Sequence, residues 1–246
     1  MKKILVTFLL GMLPVIVMAG GTGMSNDRVE INLENKSSLQ RGAKLFVNYC
    51  LSCHAAAGMR FNRVGADLGL TDDQLMENLM FTTEKSGETM TVAMTTEKAK
   101  KWFGTKVPDL TAIARARGAD WLYTYLRTFY VDDTRPYGVN NQRFPNVGMP
   151  HVLWELEGLK KPMYEIKHGQ DGSEEKVISG FETVVPGTMS KVEYDDAMRD
   201  LVNFMVYMSE PARLQRAGIG IGVMFFLVIL LIVTYALKKE YWRDVH

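Results

Sequence analysis

Cys50 and Cys53 stand three positions apart, and His54 follows the second at once. They are the only 2 cysteines in a chain of 246 residues. A disulfide scaffold spreads more cysteines along its chain. A structural zinc site wants a second Cys/His pair, which the sequence lacks. A redox dithiol sits in a strand-to-helix context, whereas a helical pattern leads into Cys50 here. A simple disulfide leaves His54 without a role. Two thiols at this spacing can instead add to both vinyl groups of one porphyrin, which brings the adjacent imidazole beneath the iron. Cys50, Cys53 and His54 are therefore read as the attachment site of one haem c, with His54 as proximal ligand.

A second axial ligand must come from far along the chain, since another part of the fold covers the opposite haem face. The candidates are His151, His168 and His246 and 16 methionines, most of them on helix faces or in apolar runs. Met149 differs, because Pro145-Asn146-Val147-Gly148-Met149-Pro150 gives it a tight, stiff backbone. Met189, beside Gly187 and a helix start, is its chief rival, and His151 is another. The residues alone leave all three open. Pro108-Asp109-Leu110 is a turn whose proline suits the haem edge or the histidine ligand. Arg117 suits a haem carboxylate, since a guanidinium grips one with two parallel hydrogen bonds. The plainer alternative is a loop turn followed by solvated arginines.

The elements that must position these residues read as helices. Ser37-Ser38-Leu39-Gln40 has capping-box spacing, and Leu39, Ala43, Phe46, Val47 and Cys50 follow at helical intervals. A second box, Thr71 to Gln74, opens a helix to about Phe81 with Leu75, Met76, Leu79 and Met80 on one stripe. Residues Thr82 to Lys106 read as an exposed loop with one short helix. Trp121 to Tyr130 is a strongly apolar helix, and the Pro, Gly and Asn of Val131 to Pro150 make a long loop. Short β-prone runs between Leu153 and Thr188 suggest a small hairpin. Ser190 to Glu193 is a third capping box, opening a helix that carries Tyr194, Ala197, Met198, Leu201, Met205 and Met208. Pro211 marks its junction with the next segment.

Two apolar segments sort the compartments. Lys2 and Lys3, an apolar run from Ile4 to Met18, and small residues from Ala19 have the three-part layout of a secretory signal peptide over residues 1–19. Gly218 to Leu237 is free of charge and about 30 Å long as a helix, enough to span a hydrocarbon core. Lys238, Lys239, Tyr241, Trp242 and Arg243 then supply a basic end and an aromatic belt. The expected organisation is a leader over 1–19, an exported domain over 20–210, an anchor helix over 211–238 and a cytoplasmic tail over 239–246. Formal net charge is +1, and no basic stripe suggests nucleic acid. Setting aside Lys2 and Lys3 of the leader, and Lys238, Lys239, Glu240, Arg243 and Asp244 after the apolar run, leaves −2 for the middle of the chain, which suits a basic partner weakly.

In the order and spacing of these motifs the chain resembles the cytochrome c1 family, the haem subunits of quinol–cytochrome c oxidoreductases. The motifs are Cys50 to His54, Pro108-Asp109-Leu110, Ala114-Arg115-Ala116-Arg117, Gly148-Met149, Thr188-Met189-Ser190 and Ser209-Glu210-Pro211 before a single span and basic tail. The resemblance runs from about Ser37 to the C-terminus. It departs from the mitochondrial pattern at His151-Val152-Leu153, where Pro-rich sequence is usual. It implies a mainly α, class I cytochrome c-like haem domain with loop insertions and one C-terminal transmembrane helix. It implies Met149 as the second axial ligand, Met189 as structural, Pro108 beside the haem and Arg117 near a propionate. The implied role is electron transfer from a Rieske iron–sulfur protein to a soluble or membrane-bound cytochrome c, next to a cytochrome b subunit. The implied place is a bacterial inner membrane with the haem domain in the periplasm. Alone the chain is then a carrier, with the enzyme being the complex. The alternatives are another tethered cytochrome, such as an oxidase subunit or shuttle, and a haem peroxidase or sensor.

Overall fold

The computed structural model describes residues 24–168 and 174–244, so the expected leader lies outside the described residues. The first helix, α1 (Lys36–Leu45), starts one residue before the expected Ser37 cap, because the Asn35 side chain accepts the Ser38 N–H and caps the helix first. It runs into a single π turn, Phe46–Cys50. The expected stripe of Leu39, Ala43, Phe46, Val47 and Cys50 is buried throughout. Strand β1 (Ala56–Arg60) follows, then α2 (Phe61–Leu68) and α3 (Asp72–Leu79). Thr71 and Gln74 form the expected reciprocal capping box of α3. Leu75, Leu79 and Met80 are buried, but Met76 is exposed. The next segment holds the short strand β2 (Thr89–Met90), paired antiparallel with β1, and the helix α4 (Thr96–Phe103).

Helices α5 (Ile113–Arg117) and α6 (Ala119–Leu126) meet at Gly118, which turns the chain at φ +90°. The apolar segment from Trp121 stops being helical at Leu126, short of the expected Tyr130. Its end pairs as β3 (Phe129–Val131) with β4 (Val139–Asn141) inside what reads as a loop. A short α7 (Trp154–Glu157) leads into a hairpin of β5 (Gly158–His168) and β6 (Glu174–Pro186), far longer than the small one expected.

The long helix α8 (Lys191–Ser209) carries the expected Ser190–Glu193 box and packs across α1. Gly42 permits that approach: a Cβ there would sit 2.1 Å from the Asp200 carbonyl oxygen. Phe46 and Phe204 meet at 5.6 Å between ring centres. A buried polar knot locks the pair. Asp200 accepts from Ser38 Oγ and Arg41 Nε, both at 2.6 Å, and Asn203 Nδ2 donates to Ser38 Oγ at 3.0 Å. The main core lies between α1, α2, α3, α6 and α8. After a 3-10 turn at Pro211–Leu214, α9 (Arg216–Tyr241) runs 26 residues with none buried; its mean hydropathy reaches 2.7. One long apolar C-terminal helix of this kind fits a single-pass membrane anchor.

Candidate functional site: a cleft between His54 and Met149

The π turn ends on the cysteine segment. Cys53 and His54 both donate their backbone N–H to the Cys50 carbonyl, at 3.1 and 2.8 Å. This tight wrap sends the two thiols in different directions: Cys50 lines a cavity of about 300 Å³, Cys53 an adjoining one of about 80 Å³. Burial, and then the neighbouring Cys53, push the Cys50 thiol up to about 12.

His54 is oriented by a turn 54 residues away. Its Nδ1 stands 2.8 Å from the Pro108 carbonyl oxygen. A carbonyl only accepts, so Nδ1 carries the proton and Nε2 keeps its lone pair for a ligand bond. The Pro108 turn is itself pinned to the segment after His54. Leu110 N–H donates to the Ala55 carbonyl at 2.8 Å, and Gly58 N–H to Thr111 Oγ1 at 3.0 Å. Asp109 accepts from Ala57 N–H and Thr111 N–H, both at 2.8 Å. Burial works against the Asp109 charge, but the hydrogen bonds from Thr111 and Ala57 outweigh it and hold the carboxyl below its usual range.

The opposite wall is the loop after β4. Asn140 Oδ1 accepts Asn146 N–H at 2.8 Å, and Asn141 Oδ1 accepts the N–H groups of Arg143 and Phe144 at 2.9 Å. Asn146 sits at φ +63°, a left-handed conformation that asparagine tolerates. The loop passes close to the end of α4, where a Cβ on Gly148 would lie 3.4 Å from Thr105 Cγ2. Met149 emerges with its sulfur accepting the Tyr125 hydroxyl at 3.3 Å.

The two cavities are lobes of one cleft, sharing His54, Thr105, Lys106, Pro108, Gly148 and Met149. The larger lobe is floored by Leu110, Leu122, Leu126, Leu201 and Met205. Arg117 reaches its rim with the guanidinium 5.0 Å over the Trp121 ring. The sequence-predicted Cys50, Cys53, His54, Pro108, Arg117 and Met149 are thus brought together. Met189 and His151 are not. Met189 lines a separate cavity between the β5–β6 hairpin and α8. His151 is buried, stacks on Phe129 at 4.9 Å, and has Nε2 3.0 Å from Glu157 Oε2, at an angle that makes no hydrogen bond. Sequence reasoning missed Tyr125, Asn140 and Asn141. The one available signal was an Asn-Asn pair within a Pro- and Gly-rich stretch.

A haem fits this chemistry. The walls are apolar, thiols open onto both lobes, a neutral imidazole and a thioether line the same space, and a cation stands at the rim. Fold and site together suit a haem protein. The sequence model of the Cytochrome C1 family matches residues 31–245. The chain is 49% identical to cytochrome c1 of Allochromatium vinosum, covering 100% of this chain and 99% of that one. It is 46% identical to a protein of Nitrosomonas europaea named ammonia monooxygenase gamma subunit, over 100% and 98%. Cytochrome c1 of Rhodobacter capsulatus is 23% identical over 98% and 97%. The chain belongs to the Cytochrome C1 family.

Proposed function

We propose that the chain carries one haem c, joined covalently through Cys50 and Cys53, with His54 and Met149 as its axial ligands. It takes an electron from a Rieske iron–sulfur protein and gives it to a cytochrome c, as a subunit of a quinol–cytochrome c reductase with a cytochrome b. The observation that carries this reading is the shared cleft: His54 and Met149 both line it, whereas Met189 and His151 do not.

Bound there, the haem supplies a one-electron couple whose potential Met/His ligation raises. The chain's own residues do the rest. The Pro108 carbonyl fixes the His54 tautomer and ring orientation. The Tyr125 hydroxyl holds the Met149 sulfur and draws on its electron density. Leu110, Leu122, Leu126 and Leu201 keep water from the larger lobe. Arg117 neutralises carboxylates at the rim. Held by both His54 and Met149, a haem iron would have no open position for substrate, which separates this reading from a peroxidase or gas sensor.

We further propose residues 1–19 as a cleaved leader, 20–210 as a periplasmic haem domain, 211–238 as the anchor and 239–246 as a cytoplasmic tail in a bacterial inner membrane. The test is affinity isolation of the full chain from solubilised membranes. Cytochrome b and an iron–sulfur protein should co-purify, and added quinol should reduce the haem. Recovery with oxidase or monooxygenase subunits instead, and no reduction by quinol, overturns the assignment.

A further inference from the structure

Helix α4 ends against the Met149 loop, and its outer face is basic. Lys98, Lys100 and Lys101 on the helix, and Lys106 just beyond it, are all exposed. Among the described residues none of the four joins an ion pair, so they do no salt-bridge work within the fold. Glu97, the one carboxylate in this stretch, is held by its own backbone N–H and by Thr95 at the helix start. The same face presents exposed aromatic surface. Trp102 is 55% and Tyr137 39% accessible, and the Tyr137 hydroxyl donates to the Trp102 carbonyl, so the two form one patch. Phe103, the last residue of α4, lies 5.9 Å from the Tyr137 ring and lines the smaller lobe of the cleft with Thr105 and Lys106.

We propose that this face is the docking surface for a soluble acidic electron acceptor, which the lysines steer to the exposed edge of the cleft. The inference rests on the electron-transfer reading above. Aromatic surface ringed by unpaired like charge is the anatomy of a transient interface. Long-range steering helps a partner that diffuses, whereas a donor held in the same complex is already at high effective concentration. The net charge of the middle of the chain, −2, points to a basic partner; its distribution points the other way where electrons leave.

The test uses the intact complex with its haem chemically reduced, mixed with either of two soluble cytochromes c, one acidic and one basic. The acidic acceptor should react faster at low salt, and its rate should fall as ionic strength rises. Lys100→Glu/Lys101→Glu should slow it about tenfold or more and flatten that salt dependence, since rim charges act on association. The absorption spectrum and reduction by quinol should be unchanged. Lys161→Glu, on the β5–β6 hairpin, should leave the acceptor rate alone. Unchanged rates in the double variant, or a wild-type preference for the basic acceptor, overturn the proposal. A double variant that keeps its acceptor rate but loses preference for anionic vesicles assigns the lysines to lipid and overturns it too. A wild-type haem that quinol fails to reduce sinks the functional reading instead, since acceptor docking is read separately.

Discussion

Removing the Asp109 carboxylate should loosen the histidine ligand without touching it. Three hydrogen bonds tie residues 109–111 to residues 55–58, and Asp109 accepts the one from Ala57 N–H, at 2.8 Å. It also accepts Thr111 N–H at 2.8 Å, which shapes the turn carrying the Pro108 carbonyl. Asp109→Ala strips both acceptors. The site is largely exposed, so water replaces part of the loss, and the expected cost is about 1–3 kcal/mol rather than that of a buried charge. The hydrogen bond that His54 Nδ1–H donates to the Pro108 carbonyl then weakens. Its loss makes the imidazole a poorer donor and favours the reduced form. If about 0.5–1 kcal/mol of that bond differs between oxidation states, the potential rises by roughly 20–40 mV for one electron. Asp109→Asn keeps one acceptor and should show about half of each effect. The pH dependence has a definite sign. The folded carboxyl titrates below its ordinary value, so its stabilisation is complete above the unfolded value near about 4 and is lost as pH falls through the folded one. Redox titration and urea denaturation at pH 7 and pH 3 read both quantities. Wild-type potential and wild-type denaturation midpoint in Asp109→Ala would refute the idea that this turn orients His54.

The other predictions test separate parts of the account. Gly42→Ala puts a methyl 2.1 Å from the Asp200 carbonyl oxygen at the α1–α8 crossing, so about 3 kcal/mol and roughly 6–12 °C of thermal midpoint should be lost; an unchanged melt contradicts the crossing. Tyr125→Phe removes the 3.3 Å bond to the Met149 sulfur and should lower the potential by up to about 40 mV with little loss of fold, whereas an unmoved potential means the hydroxyl has no influence on the ligand. Cutting after Ser209 removes α9 and leaves every cleft residue, so the exported fragment should be soluble with the full-length haem spectrum while quinol–cytochrome c reductase activity collapses; failure to hold haem refutes the separation of domain and anchor.

What was legible in the sequence was local chemistry. The Thr71 and Ser190 boxes formed as written, because a cap is decided within four residues. The Ser37 box failed for the same reason, since Asn35 reaches the Ser38 N–H first. The helix from Trp121 broke at Leu126 because its end is claimed from a distance. Thr128 Oγ1 donates back to the Thr124 carbonyl, and Phe129 to Val131 pair with Val139 to Asn141. Helical apolar spacing carries no sign of that pairing. The cysteine segment announced itself, but its supports did not. Pro108 could be suspected near the ligand as a rigid turn, whereas nothing local showed that its carbonyl meets His54 or that Asp109 clamps the turn. Met149 and Met189 both have a glycine close by; only the fold puts one in the cleft and the other beneath the hairpin.

The central claim is that one cleft holds a haem between His54 and Met149. It is tested most directly by redox titration of the membrane-bound holoprotein carrying Met149→Leu, beside the same titration of Met189→Leu. Leucine conserves most of the volume, so packing should cost less than about 1.5 kcal/mol at either position. Met149→Leu should lower the haem potential by on the order of 100 mV or more, through loss of a thioether that favours the reduced iron. Met189→Leu should titrate like the wild type. A wild-type potential in Met149→Leu, with the fall appearing in Met189→Leu, would contradict the account.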